Sequence, residues 1–564
     1  MKHFCYLFEA KSIQSYLLAT NRLKEIVGGS ELIESLTGDD GLFDAALAAV
    51  GGDFECSRKG GGAAFVFTTD EAARDRLAAL WPLLVAKYAP ELEFVQARGE
   101  GDSPKAAYDA ATGKARHDCD PETVDLRADR NRLMARLPQG GPLAVRNRRS
   151  GDVAVTYSPS KKDAAPEPVD AVTERKLLQD FRDGKALPNR FAEGSGKDEW
   201  PVNLDAKDAD DGRPRVFPFL GEDRTLALVH ADGNGLGQLL MDLGKVADRQ
   251  PQRFIAIFKG FSAAVSRATE QAARRATAAV LKPDSSGGLY PARPVVLGGD
   301  DLTMLVRADL ALPFAEHFVA AFAEETAEAF ELLRQQQDLD LPPRLTACAG
   351  IAYARASQPF HMLHHLAEQL CKHAKKKAKA TLPPREDWKD KPPSQRPIVP
   401  STLAFHRVTA SLVDSWDIVL KDHLTLGGLR QTLECYAVDI AAPLPSLHQL
   451  VELQRLLANP AMSRGATREL LGMIGNDPLQ APSRYKRWRE LMREGRQHPE
   501  HPVLFKRFQD LLRNLTGSEP QEDLPYGAAN EDGLRCSPLG DVETLRSVRN
   551  CSDSTMSAER QESE

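Results

Sequence analysis

Two stretches of this chain, separated by a long polar segment, read as the same order of elements, and that internal repeat limits the fold more than any motif within it. In the first, His3 to Ala10 reads as a short buried strand and a helical stretch follows through Tyr16, Leu23 and Ile33. Phe54 to Arg58 and Ala63 to Thr69 are apolar runs flanking Lys59 to Gly62, the turn chemistry of a hairpin. Leu77, Leu80, Trp81 and Leu84 then recur at helical spacing, and Leu92 to Ala97 closes as a strand. In the second, Thr225 to Ala231 is a strand running into AspGlyAsnGlyLeuGly (Asp232 to Gly237) and a helical segment. Val295 to Leu297 and Leu302 to Val306 flank GlyGlyAspAsp (Gly298 to Asp301). Phe314, Phe318 and Phe322 mark one helix face, Leu345 to Tyr353 is a strand, and Leu363, Leu366 and Leu370 line a last helix. Two copies of a ferredoxin-like βαββαβ unit account for this order, so the fold class is α+β.

The remaining sequence divides around those copies. The boundaries read as 1–100 for the first copy, 101–215 for a polar linker or small inserted module, and 216–410 for the second copy. Residues 411–549 form a helical domain and 550–564 a frayed tail. The insert carries Arg146, Arg148 and Arg149 and a Ser, Lys, Asp and Pro-rich run from Ser158 to Asp170. A Pro-rich break from Pro383 to Pro400 precedes the helical part. There Leu447, Leu450, Leu453 and Leu457 form one stripe and Phe505, Phe508, Leu512 and Leu515 another, as in a helical bundle. A length of 564 residues fits about three to five domains. No apolar run approaches the ~18–20 residues that span a bilayer, and the start lacks a signal-peptide stretch, so a cytoplasmic protein without a membrane partner is expected. The eight cysteines (Cys5, Cys56, Cys119, Cys348, Cys371, Cys435, Cys536 and Cys551) form no CxxC pair, which argues for reduced thiols. With 73 basic against 80 acidic residues, a uniformly basic nucleic-acid coat is excluded.

The second copy gathers the residues that carry chemistry. Asp232 ends a strand, and Asp300 and Asp301 lie on the turn of the hairpin that pairs beside that strand in this topology. Three carboxylates therefore converge, and crowded like charges call for a cation, here Mg²⁺ or Mn²⁺, which prefer oxygen ligands. A pair of such ions ~3.5–4 Å apart activates a hydroxyl and stabilises a leaving pyrophosphate. Gly298 and Gly299 permit a tight turn and close approach of phosphates. Gly233, Asn234 and Gly235 lead into a helix whose first amides favour phosphate. On the last helix, Lys375 or Lys376 is placed to face a triphosphate. Taken singly, each fragment is also an ordinary solvated turn or helix end; their joint placement gives them weight.

These residues resemble the polymerase-like large subunit of type III CRISPR effector complexes, the Cas-ten family, above all its Cmr-type branch. The resemblance rests on ValHisAlaAspGlyAsnGlyLeuGly (Val229 to Gly237), LeuGlyGlyAspAsp (Leu297 to Asp301), AlaGlyIleAla (Ala349 to Ala352) and LeuCysLysHisAlaLys (Leu370 to Lys375). In the first copy it rests on SerIleGlnSerTyr (Ser12 to Tyr16) and on Leu23 to Ile33, and it covers roughly residues 1–410. It implies two palm domains related to nucleotide cyclase and GGDEF palms. It also implies a nucleotidyltransferase that joins ATP 3′ to 5′ into cyclic oligoadenylate messengers for antiviral defence, which in turn activate a downstream effector. Asp232, Asp300 and Asp301 match the metal-binding aspartates and Lys375 the phosphate-contacting lysine. The first copy, with LysGlyGlyGly at its hairpin and the neighbourhood of Glu9 in place of Asp232, has no carboxylate pair and is expected to scaffold.

Departures from the family pattern sharpen the expectation. The chain starts directly on the first palm without an HD nuclease, and His117 and Asp118 read as loop residues. Asn147 to Val155 lacks the cysteines usual there, so no structural zinc is expected. His361, His364, His365 and Cys371 read as a helix with partly exposed histidines. Candidate RNA or ribonucleoprotein contacts are Arg146, Arg148 and Arg149, and the segment Tyr485 to Arg496 with Lys486, Arg487, Trp488, Arg489, Arg493 and Arg496. A Trp packed into the bundle with solvated arginines is the competing reading of that segment. The alternative function is a non-catalytic scaffold or RNA-binding large subunit. ATP over GTP, ring size, and a free-standing protein over a complex subunit stay open at this level.

Overall fold

The computed structural model describes residues 2–548 apart from 21, 114–130, 135–139, 159–165, 179–186, 196–198, 205–215, 220–223, 284–287, 410–414, 440–441, 463, 478 and 496–497. His117, Asp118, Cys119, Arg496 and Cys551 lie outside the described residues. The first palm runs β1 (His3–Lys11), α1 (Ile13–Leu18), α2 (Leu23–Thr37), α3 (Leu42–Val50), β2 (Glu55–Gly60), β3 (Ala63–Thr68), α4 (Glu71–Tyr88), β4 (Glu93–Gly101), α5 (Pro104–Thr112) and β5 (Asn131–Met134). Its sheet order is β2-β3-β1-β4-β5, antiparallel throughout. The unit thus extends past residue 100. Ala107 and Ala111 of α5 are fully buried in a core with Cys5 and Leu7, a helix face built of alanines, whose weak hydropathy hides it in a polar stretch.

The insert contributes a two-stranded ribbon, β6 (Ala154–Tyr157) and β7 (Pro168–Asp170), and α6 (Ala171–Leu177), capped by Asp170 accepting from the Thr173 amide at 2.8 Å. The second palm follows as β8 (Thr225–Gly233), α7 (Leu236–Arg249), α8 (Phe254–Val280), β9 (Ala292–Gly298), β10 (Asp301–Arg307), α9 (Ala308–Gln337), β11 (Ala347–Arg355) and α10 (Phe360–Ala380). One helix was expected after Asp232; two are present. Beyond the Pro-rich break, β12 (Thr402–Arg407) returns to the palm and pairs parallel to β11. The rest comprises α11 (Trp416–Ile418), β13 (Thr425–Leu426), β14 (Leu429–Arg430), β15 (Tyr436–Ala437), α12 (Leu447–Ala458), α13 (Arg464–Asn476), α14 (Ala481–Glu494), α15 (His501–Thr516) and β16 (Arg535–Cys536). Because β15 pairs with β12, the second sheet reads β15-β12-β11-β8-β10-β9. The expected boundary at 410 therefore cuts through one sheet. The C-terminal part is not purely helical either, since β13, β14 and β16 form a small sheet of their own.

Alternation along β8 divides the core. Ala227, Val229 and Ala231 face the cluster that includes Phe314, Phe318 and Phe322 of α9 and continues into Leu447, Leu450, Phe505 and Phe508 of the C-terminal helices. Leu226 and Leu228 face the opposite cluster, with Leu363, Leu366 and Leu370 of α10, which continues into Phe8, Phe43 and Trp81 of the first palm. The two palms thus share one apolar body. α10 lies close on the sheet because β11 has no side chain at Gly350; a Cβ there would stand 2.0 Å from the Ala367 carbonyl oxygen and 2.6 Å from the Cys371 nitrogen. Gly350→Ala should therefore cost about 1–3 kcal/mol by overpacking, read as a lower denaturation midpoint at unchanged m-value.

Candidate active site

The frame of the site is a strand register. Asp301 opens β10 directly opposite Asp232 of β8 and pairs on its other side with Gly298 of β9, leaving Gly299 and Asp300 as a two-residue turn. Such a turn needs positive φ, and Gly299 supplies it at 59°. The next residue of β8, Gly233, gives its amide to the Asp300 carbonyl at 3.2 Å. A Cβ on Gly233 would come within 2.6 Å of Asp300 Oδ2, so the bare backbone makes room for the turn carboxylate. All three carboxylates end up at one end of the sheet.

A single lysine answers them. Lys375, on α10, donates to Asp232 Oδ2 and, at 2.8 Å, to the Gly233 carbonyl. Gln14 of the first palm reaches across to give Asp301 Oδ2 a hydrogen bond at 3.1 Å. Behind them, the buried His230 ring has Nδ1 3.1 Å from Thr303 Oγ1 and 3.4 Å from Asp301 Oδ1. Burial, and then the charge of Asp232, push both Asp300 and Asp301 up to about 7, with Lys375 pulling the other way. Burial takes His230 down to about 4 against the pull of Asp232, so its ring is neutral at pH 7.

The donor set consists of carboxylate oxygens, and Asp301 Oδ1 is buried without a hydrogen-bond partner. These features fit Mg²⁺ or Mn²⁺. Among the described residues no group of three His, Cys, Asp and Glu side chains is gathered so as to hold an ion alone. Mg²⁺ ordinarily takes one or two carboxylates together with substrate phosphates, which suits this arrangement. A cleft of about 1820 Å³ opens beside it between the palms, lined by Glu9, Lys59 and Gly61 from one and by Leu236, Gly298 to Asp301 from the other. The two hairpin tips meet here: a Cβ on Gly298 would lie 3.7 Å from the Gly61 Cα.

The expected residues do not all converge. Asp232, Asp300, Asp301, Lys375, Gly233, Gly298 and Gly299 share the site, and Gly235, with φ of 80°, caps the N-terminus of α7 beside it. Asn234 does not face the cleft: buried, it donates to Thr346 Oγ1 at 3.0 Å and Cys348 Sγ at 3.3 Å, pinning β8 to the start of β11. Lys376 is one residue round the helix from Lys375 and exposed. His361 and His365 are exposed, whereas His364 is buried edge-on to His230 with centroids 5.3 Å apart, and the Cys371 thiol bonds the Cys348 carbonyl. Gln14 and His230 were present in the quoted motifs, yet neither is singled out by spacing.

The proposed nucleic-acid residues are scattered in role. Trp488 is 9% exposed and packs edge-on against Phe505 and Phe508, with no face left for a base, so the bundle reading is correct for it. Arg489 lies near Glu522 at 3.8 Å while Arg487 is exposed. Arg146 donates to the Gly151 carbonyl at 2.9 Å. Arg149 pairs with Glu25 at 3.3 Å and Glu167 at 3.4 Å, tying the insert to α2, and Arg148 is exposed.

A four-stranded antiparallel core with acids on the central strand and on the adjoining hairpin turn defines a palm domain. The palm is of a particular kind: residues 225–382 match the family model for Cas10/Cmr2, second palm domain. The chain thus carries the palm of the Cas10 family, and the resemblance drawn from Val229 to Gly237 and Leu297 to Asp301 holds. No curated protein matches the chain. Among solved structures it is similar to the Csm1–Csm4 cassette in complex with cA4, at 13% identity over 97% of this chain and 69% of that one, with a TM-score of 0.46. Csm1 in T. onnurineus is similar at 12% identity over 98% and 69%, with a TM-score of 0.45. The Csm1–Csm4 subcomplex of the type III-A CRISPR–Csm interference complex is similar at 11% identity over 91% and 70%, with a TM-score of 0.37. No helix among the described residues is long and apolar enough to cross a membrane.

The raised carboxyls make a signed prediction. Asp300 and Asp301 titrate near 7 in the folded, metal-free chain against an ordinary 3.8. The folded state therefore binds protons that the unfolded chain releases between those values. This contribution is complete below about pH 4 and is lost as pH rises through 7. Without divalent metal, Asp301→Asn should melt higher than wild type at pH 8, on the order of 2–4 °C, with the gap closing toward pH 5 in a thermal-shift series.

Proposed function

We propose that the second palm is a metal-dependent nucleotidyltransferase that converts ATP into a 3′–5′ cyclic oligoadenylate and pyrophosphate in type III CRISPR-like antiviral defence. The observation that carries this reading is the register of Asp232 opposite Asp301, with Lys375 bonded to Asp232 and with Asp300 and Asp301 at the wall of a two-palm cleft. Asp232, Asp300 and Asp301 would hold Mg²⁺ or Mn²⁺, which supplies charge for the attacking hydroxyl and the departing phosphates. Gly298 and Gly299 leave the hairpin open to phosphate, and the first amides of α7, from Leu236, favour the same anion. Lys375 exchanges its bond to Asp232 for the triphosphate, where its charge stabilises the leaving group. The 3′ oxygen bonds to the α-phosphorus, the bond from that phosphorus to the bridging oxygen breaks, pyrophosphate leaves, and the hydroxyl proton passes to water.

The first palm walls the cleft with no acid on its hairpin turn. Glu9, which stands where Asp232 does, pairs in register with Ala63 and is ion-paired with Lys11 at 2.6 Å. Arg146, Arg148, Arg149, Lys486, Arg487 and Arg493 are exposed candidates for RNA or for neighbouring subunits of a defence complex, and an effector that binds the cyclic product would act downstream.

The test is synthesis. Protein given ATP with Mn²⁺ or Mg²⁺, and target RNA with guide-bearing subunits where an activator is required, should yield pyrophosphate and a cyclic adenylate by mass spectrometry. Asp300→Ala with Asp301→Ala should abolish the product, and Lys375→Ala should lower the rate by roughly 10²-fold. Undiminished synthesis in the double variant would sink the assignment. No product under activating conditions, with tight RNA or protein association, would favour a non-catalytic binding subunit.

A further inference from the structure

Asp301 is the one carboxylate of the three that receives a side-chain hydrogen bond from the other palm among the described residues. The donor, Gln14 Nε2 on α1, stands 287 positions away in sequence and 3.1 Å from Asp301 Oδ2. A carboxylate only accepts, so the amide must present its NH₂ to it. The other oxygen, Oδ1, is buried and has no hydrogen-bond partner. The carboxyl is thereby held with Oδ2 engaged by Gln14 and with Oδ1 unbonded, 3.4 Å from His230 Nδ1.

The backbone of the same hairpin is already fastened from that side. Ser30 of α2 donates to the Val295 carbonyl at 2.5 Å, and Arg190, from the inter-palm segment, donates to the Leu297 carbonyl at 2.9 Å. Those bonds fix β9 without touching an acid. Gln14 adds the contact they lack, on the side chain itself. It is half-buried on the cleft wall, so its position owes little to core packing.

We propose that Gln14 is a positioning residue for the nucleotidyl transfer: the palm without catalytic acids supplies the amide that orients the Asp301 carboxylate for the metal. This rests on the metal-dependent reaction proposed above. Losing the amide frees Asp301 to rotate, so the penalty falls on ion binding before it falls on nucleotide binding. Methionine is the informative replacement, because it keeps the length and packing of glutamine and removes only the polar head.

Full-length wild type, Gln14→Met and Gln14→Ala would be titrated with Mn²⁺ in the presence of a non-cleavable ATP analogue, following free Mn²⁺ by electron paramagnetic resonance. The kcat and the KM for ATP would be measured in parallel. Both variants should need about tenfold more Mn²⁺ for half-saturation, with KM for ATP within about twofold of wild type and unchanged melting temperatures. In an Asp301→Asn background Gln14→Met should change nothing further. Wild-type Mn²⁺ binding in Gln14→Met, with loss only in Gln14→Ala, would show a packing role and overturn the proposal. An equal further loss in the Asp301→Asn background would overturn it as well. Failure of wild type itself to retain Mn²⁺ with the analogue is a different result, which removes the metal-dependent reaction and this inference with it.

Discussion

Like charges at one end of a sheet are the constraint around which this molecule is arranged. The β8–β10 register sets Asp232 opposite Asp301, and the two-residue turn adds Asp300. Without a cation the arrangement is held by partial neutralisation: Lys375 on Asp232, Gln14 on Asp301, and protons retained by acids whose titration burial and crowding have moved to about 7. Each device leaves room for exchange. A lysine swings, a proton leaves, and an oxygen of Asp301 stays unbonded. A structural ion pair would close these options, whereas this end of the sheet keeps them open, which is the electrostatic condition for admitting a metal and a polyphosphate.

The first palm shows the same frame with the hairpin acids removed. Gly60 pairs with Ala63 as Gly298 pairs with Asp301, and Glu9 faces Ala63 as Asp232 faces Asp301. The hairpins correspond residue for residue, so Gly61 and Gly62 stand where Gly299 and Asp300 do. One frame thus serves two ends: acids on one hairpin, and on the other a bare turn that lets the two tips meet near Gly61 and Gly298. The missing side chains of the first copy are what allow the second to be approached so closely.

Much of this was legible because strands and hairpins announce themselves locally. The period-two runs flanking Lys59 to Gly62 and Gly298 to Asp301 fixed both hairpins, and topology then placed Asp232 beside them. Lys375 needed the family resemblance, since spacing alone left Lys376 equal to it; only the seat of α10 on β11 at Gly350 decides which lysine turns inward. Gln14, His230 and Arg190 were not separable from their neighbours, because their roles are contacts between segments remote in sequence. Asn234 misled for the converse reason: it sits in a glycine-rich turn, yet Thr346 and Cys348 claim its amide. Domain edges failed where burial is carried by alanine, as in α5, or by two-residue strands such as β15.

The misplaced edge at 410 has a physical consequence for the site. Lys375 points at Asp232 only if α10 holds its rotation, and helix rotation is set from both sides. On the sheet side it is set by the close seat at Gly350. On the far side Glu434 accepts from His373 and from Lys377, each at 2.8 Å, and pairs with Arg430. Burial disfavours the Glu434 carboxylate, yet those hydrogen bonds and charges hold it at about 2, so it stays ionised throughout the physiological range. Residues 373, 375 and 377 alternate between the two tasks, one lysine serving the acids and its neighbours serving the anchor. The segment through β15 is accordingly part of the second palm in the mechanical sense: it fixes the angle of the helix that carries the only lysine bonded to any of the three acids among the described residues.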